Sequence, residues 1–153
     1  MPVCSSLVRV QIRRLDPDMK LPERQHPGDA GIDLYARTDV RIAAAGGRAR
    51  VPTGIAVAIP EGYGGFVLPR SGLALRHGVT CLNTPGLIEA GFRDEVSVLL
   101  VNHDPEAVFD VGRGDRIAQL VVLRVESVEW QEVDALDETA RGLGGWGSTG
   151  VSE

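Results

Sequence analysis

The stretch IAVAIPEGYGGFVLPRSGLALRHG, residues 55–78, decides the fold class. Ile55, Val57 and Ile59 recur at the two-residue period of a half-buried strand. PEGYGG at 60–65 is a turn cluster, and SGLALRHG from Ser71 to Gly78 reads as a helix of about two turns. Ser71 is its expected N-cap and Gly78 its stop. Outward from this stretch the same alternation returns in Val8, Val10, Ile12; Val40, Ile42; Val96, Val98, Leu100; Ile117, Gln119, Val121; and Val128, Trp130. AAGGR at 44–48, NTPG at 83–86 and HDPE at 103–106 separate these runs at the spacing of a sandwich or barrel. The expected fold is all-β and antiparallel, with one short helix.

The chain has 153 residues, the size of one domain. Apolar residues make up 43% and charged residues 24%, enough to bury a real core, so disorder is excluded as the resting state. The 19 glycines and 9 prolines disfavour a helical bundle. No apolar run approaches the ~18 residues of a membrane span, and no secretory signal is visible, which makes a cytoplasmic address the expectation. Cys4 and Cys81 offer neither a disulfide framework nor a zinc knuckle and read as reduced. A net charge of −5 argues against a general grip on nucleic acid, so any phosphate must be held locally.

Several segments carry chemistry. In GFVLPRSGLAL, Arg70 and Ser71 stand at the start of the helix, where unpaired N–H groups favour an anion; an ordinary capped helix beside a surface arginine explains the same residues. In the tail RGLGGWGSTG, Gly142, Gly144 and Gly147 match GxGxxG formally, but the chain ends six residues later with no βαβ unit, so a dinucleotide site is rejected. What remains is a glycine-rich strip able to wrap phosphates and a base, or a tail with no role. NTPGLIEAGFRDE crowds Asn83, Glu89, Phe92, Arg93, Asp94 and Glu95 around one hairpin, where an amide, a ring and a carboxylate could read a base, carry a sugar and activate water. PGDAGIDLYA holds Asp29 and Asp33, and GDRIAQLVV holds Asp115, Arg116 and Gln119. His26, His77 and His103 lack metal-ligand spacing.

In this order, PGDAGIDLYA (27–36), PRSGLA (69–74), NTPGLIEAGFRDE (83–95), GDRIAQLVV (114–122) and RGLGGWGSTG (141–150) resemble the five motifs of trimeric dUTP pyrophosphatases. The resemblance implies a distorted jelly-roll or β-clip-like subunit over residues 1–140. Residues 141–153 would form an arm that closes over a neighbouring subunit's site. It implies a homotrimer with shared active sites, no membrane and no nucleic acid as partners, and hydrolysis of dUTP to dUMP and pyrophosphate. That activity keeps uracil out of DNA and supplies dUMP for thymidylate synthesis.

By the same resemblance Asp33 steadies the phosphate side through waters. Arg70, Ser71, Gly72 and Gln119 hold phosphates, with Ser71 near the bond that breaks. Asn83 meets the base, Leu87 and Ile88 line its pocket, Phe92 lies under the sugar, and Ser97 touches the base edge through its backbone. Arg141, Gly147, Ser148 and Thr149 close on the γ-phosphate, with Trp146 over the base. Mg2+ is the implied cofactor, held by the substrate's phosphates and waters with no direct protein ligand. Glu89 is the implied catalytic carboxylate.

Four positions depart from the usual pattern, one of them Trp146, which stands where Phe is usual and should stack at least as well on a base. Glu89 stands where Asp is usual, with nearly the same charge and intrinsic acidity but one more methylene of reach. Phe92 replaces Tyr, and Asp94 replaces Gly, a strain on the turn if that position needs positive φ. Two other readings follow from Glu89: a weakened dUTP-binding sensor, and an activity like that of dCTP deaminases, against which the complete tail argues.

Overall fold

The structure, a computed structural model, describes residues 7–145; Cys4, Trp146, Gly147, Ser148 and Thr149 lie outside the described residues. Ten strands and one helix follow in order: β1 Gln11–Arg14, β2 Ile32–Tyr35, β3 Val40–Ile42, β4 Gly47–Ala58, β5 Tyr63–Leu68, α1 Ser71–His77, β6 Val79–Cys81, β7 Gly86–Ile88, β8 Glu95–Asn102, β9 Phe109–Val111 and β10 Arg116–Arg124. One four-stranded sheet runs β1-β4-β8-β6, a second runs β2-β10-β5-β7, and β3 pairs with β9. Every pairing is antiparallel.

The alternating residues of β4 and β8 become the core because the two-residue period puts them on one face of each strand, whereas β1 is exposed at all four residues and β10, beyond its bulge, buries Ala118 and Leu120 rather than Gln119 and Val121. Val51, Ile55, Val98 and Leu100 from the first sheet join Leu34, Val67, Ile117 and Leu120 from the second in a single buried cluster. Ile42 of β3 and Ile59, just after β4, belong to it too. Cys81 is buried there, and burial pushes its thiol up to about 11, so it stays protonated and unreactive. Among the described residues no helix is long and apolar enough to cross a membrane.

Two further expectations need correction. Val128 and Trp130 form no strand; they are 68% and 90% exposed, in a segment that finds no partner strand among the described residues. Ser71 is not the N-cap. Arg70 holds that place with extended φ −96 and ψ 125, because its carbonyl accepts the first helical bonds, from Leu73 and Ala74. No side chain caps α1, so the Ser71 hydroxyl is not spent there. Gly78 does end the helix, in the left-handed conformation at φ 63.

A charged knot ties distant segments together. Arg113, in the turn before β10, donates to Asp16 at 2.8 Å, and Arg37, just after β2, donates to both Asp16 and Glu95 at 3.3 Å. Glu95 also accepts the Gly54 N–H at 2.7 Å, inside the bulge of β4 where Gly54 takes φ 74. The Arg113 hydrogen bond holds the Asp16 carboxyl down at about 2 against its usual 3.8. A depressed carboxyl contributes stability that is complete above pH 3.8 and fades as the pH falls toward 2. Asp16→Asn should therefore lower the melting temperature at pH 7, and its gap from wild type should close between pH 4 and 2. Melts at matched ionic strength check this, and a gap constant with pH refutes it.

Candidate active site

The second sheet places four sequence motifs side by side. Asp33 lies on β2, Gln119 on β10, Arg70 follows the end of β5, and Leu87 lies on β7, which is the order of the strands. β10 is the spine: Gln119 sits opposite both Asp33 of β2 and Leu68 of β5. Cross-strand partners share a face, so Asp33 and Gln119 point together. Pro69 and Arg70 continue from Leu68 to the same place.

There a cavity of about 470 Å³ opens, with Asp33, Arg70, Arg116 and Gln119 in its wall. Asp33 is 4% exposed, with Arg70 Nε 3.8 Å from one carboxylate oxygen and Arg116 Nη1 3.5 Å from the other. Arg70 Nη1 donates to the Arg116 carbonyl at 2.8 Å. Its buried Nε has no hydrogen-bond partner, although a buried unmatched donor is costly. Gly31 lets the preceding loop lie against Gln119: a Cβ there would meet the Gln119 side chain at 2.8 Å. Ser71 and Gly72 begin α1 beside Arg70, and a Cβ on Gly72 would meet only the flexible end of Arg76. Such a wall can hold a polyanion, because two fixed guanidinium groups and one carboxamide converge on it.

Arg116 was not among the expected site residues. Simple alternation puts Ile117 on the face of Gln119 and turns Arg116 away. The β10–β2 pairing, however, slips between Arg116 and Ala118, so Arg116 stands opposite Tyr35 and joins the face of Asp33 and Gln119. Its only signal in the sequence was a cation in a strand-like run.

The hairpin residues form a separate group. The chain follows β8 as far as Leu82, whose N–H bonds the Leu99 carbonyl at 2.8 Å, so Asn83 emerges beside the Ser97 end of β8. Asn83 also crowds Gly86, where a Cβ would meet its Nδ2 at 3.3 Å. Among the described residues β7 has a neighbour on one side only, β5, and it exposes Leu87. Glu89 and Phe92 are exposed, joined by a turn in which the Phe92 N–H donates to the Glu89 carbonyl at 3.0 Å.

Ile88 differs from its expected lining role. The alternation of β7 turns its side chain into the core against Gly65, so only its backbone faces outward. Ser97 Oγ accepts from Arg50, which leaves its backbone for any base contact. Asp94 does not strain its turn: Ala45 is the only non-glycine residue with positive φ among those described, and Asp94 accepts the Glu95 N–H at 2.7 Å. None of Asn83, Leu87, Glu89 and Phe92 lines the arginine cavity of its own chain. Arg141 does not line the cavity and donates to the Gly144 carbonyl at 2.9 Å.

Fold and cavity together define an all-β protein with a polyanion-holding wall on one sheet. Residues 17–150 match the family described as dUTPase. A deoxyuridine 5'-triphosphate nucleotidohydrolase of Thermobifida fusca is 58% identical over 143 residues, covering 94% of this chain and 79% of that protein. Another, of Gloeobacter violaceus, is 56% identical over 144 residues, covering 94% and 97%. Among solved structures, the Staphylococcus bacteriophage 80alpha dUTPase with dUPNHPP superposes with a TM-score of 0.85 at 27% identity, over 94% of this chain and 99% of that one. The chain belongs to the dUTPase family.

Proposed function

We propose that the protein hydrolyses dUTP to dUMP and pyrophosphate as a homotrimer whose sites each draw on more than one chain. The observation that carries this is the division of the site within one subunit: Asp33, Arg70 and Gln119 share a cavity from which Glu89, Asn83 and Phe92 are absent. A second copy must bring a hairpin to each cavity. The exposed apolar side chains of the 125–145 segment, Val128, Trp130, Val133 and Leu136, support assembly, since a subunit alone leaves them in water.

Arg70 and Gln119 bind the phosphates, with the Ser71 hydroxyl near the scissile bond. The Arg70 side chain is 26% exposed, so its guanidinium is open to a phosphate oxygen while Nη1 stays on the Arg116 carbonyl. Asp33 keeps both arginines aligned from its buried position. The neighbour's Asn83 and the open edge of β7 read the uracil, and Phe92 packs under the sugar where a 2′-hydroxyl would not fit. The neighbour's Glu89 orients a water for in-line attack on the α-phosphorus and takes its proton. Charge on the departing pyrophosphate is met by Arg70 and by Arg141, which closes from the 141–153 arm together with Gly147, Ser148, Thr149 and Trp146.

Magnesium fits this donor set in one way. Among the described residues no group of three or more His, Cys, Asp or Glu side chains could cage a metal ion, and Asp33 already faces two arginines. The site therefore suits an ion held by substrate phosphates and waters, with Asp33 in reach of a water. When bound, magnesium supplies charge neutralisation on the phosphates.

The test is pyrophosphate release from dUTP and magnesium, with mass measured in solution. Expected are dUMP and pyrophosphate in equal amounts, a species three chains in mass, and no ammonia from dCTP. A stable monomer, or no release above a protein-free control, refutes the reading.

A further inference from the structure

The cavity has a wall that none of the five motif assignments uses. His26 and Gln25 line it, on the loop that precedes β2. That loop is held in place at its base and at its turn. The Asp33 N–H bonds the Glu23 carbonyl at 3.0 Å, and a tight turn is closed in both directions, His26 N–H to Asp29 Oδ2 at 2.9 Å and Asp29 N–H to the His26 carbonyl at 3.2 Å. Gly28 at φ 90 permits the turn. The backbone of His26 is thereby fixed while its ring stands exposed at the rim, with no ring partner among the described residues. Gln25 differs, since its amide already donates to the Tyr35 hydroxyl at 3.5 Å.

We propose that His26 is a further substrate-binding residue, an imidazolium that meets the terminal phosphate of the bound nucleotide and the pyrophosphate product. This rests on the dUTP-hydrolysis reading above. Its place follows from strand order. Ser71, at the scissile bond, follows β5; Gln119 lies on β10; Asp33 lies on β2, the outer strand, and His26 on the loop that leads into it. Moving from β5 to β2 leads from the scissile bond toward the far phosphates.

The charge balance gives His26 its effect. Facing the cavity are Arg70 and Arg116 against Asp29 and Asp33, two cations and two anions, with Gln119 neutral. The wall is thus balanced apart from His26, and a protonated imidazole there adds a third cation. Its protonated form tips the wall positive where a polyanion binds.

The test compares wild type with His26→Gln and His26→Arg between pH 6 and 8. The substrate's terminal phosphate titrates in the same range, so the readout is the ratio of KM values, from which that titration cancels. At pH 6 the His26→Gln KM should be about fivefold above wild type, converging by pH 8, as suits an exposed charge contact. His26→Arg should lack the convergence and bind more tightly than wild type at pH 8. Values of kcat should hold. Inhibition by dUMP, which lacks the far phosphates, should be the same for all three proteins, and inhibition by pyrophosphate should follow KM. A ratio flat with pH, or weakening of dUMP equal to that of dUTP, overturns the role of His26. A wild type that releases no pyrophosphate from dUTP overturns the underlying reading instead.

Discussion

Glu89→Gln should cut the turnover of dUTP by about a thousandfold while dUTP binding stays within about fivefold, since a neutral amide keeps the volume but cannot accept the water's proton. The substitution is structurally mild. Glu89 is exposed on a turn held by backbone, with Phe92 N–H bonded to its carbonyl at 3.0 Å, and no side-chain hydrogen bond of Glu89 is recorded among the described residues. Glu89→Asp should remain within about tenfold of wild type, because charge and intrinsic acidity persist and an exposed side chain can adjust its reach. Single-turnover rates together with equilibrium binding of dUTP separate the two effects. A thousandfold loss of affinity in Glu89→Gln would assign the residue to binding. A hundredfold gain in Glu89→Asp would mark the native glutamate as a badly placed base and revive the sensor reading.

Arg70→Ala should lower kcat/KM for dUTP by two to three orders of magnitude, about what one preorganised donor to a developing oxyanion contributes. It removes the contact to the Arg116 carbonyl and one of the two cations beside Asp33, leaving that buried carboxylate with Arg116 alone. Arg70→Lys should rescue poorly, because a point charge does not replace a fork that holds the Arg116 carbonyl beside Asp33 and still meets a phosphate. Mixing gives the sharper outcome. If each cavity takes Arg70 from one chain and Glu89 from another, unfolding and refolding equal amounts of Arg70→Ala and Glu89→Gln chains together should restore about a quarter of wild-type activity, the share of sites holding both intact residues in randomly formed rings. Activity that stays at the level of the separate variants would place both groups on one chain.

Much of the site's inventory was readable along the chain, but not its grouping. Arg70, Ser71 and Gln119 stood out as polar residues inside otherwise apolar strand-and-helix patterns, and the structure brings Arg70 and Gln119 to one cavity wall, with Ser71 next in the chain to Arg70. Ile88 and Arg116 could not be placed by the same reasoning. Ile88 sits in a three-residue strand too short to show which face is buried, and the face of Arg116 depends on a bulge. A one-residue slip reverses every side chain beyond it, and no local pattern announces it.

The amino-acid order alone determined that this chain is a set of short antiparallel strands with one brief helix ended by Gly78, because side-chain polarity at period two is a local property. Only the tertiary structure decided that β10 lies between β2 and β5, so that residues 33, 70 and 119 meet while Glu89 stands away from them. Strand order arises from pairings between segments tens of residues apart. Their energy is spread over whole ladders and a shared core, so no single residue carries the information.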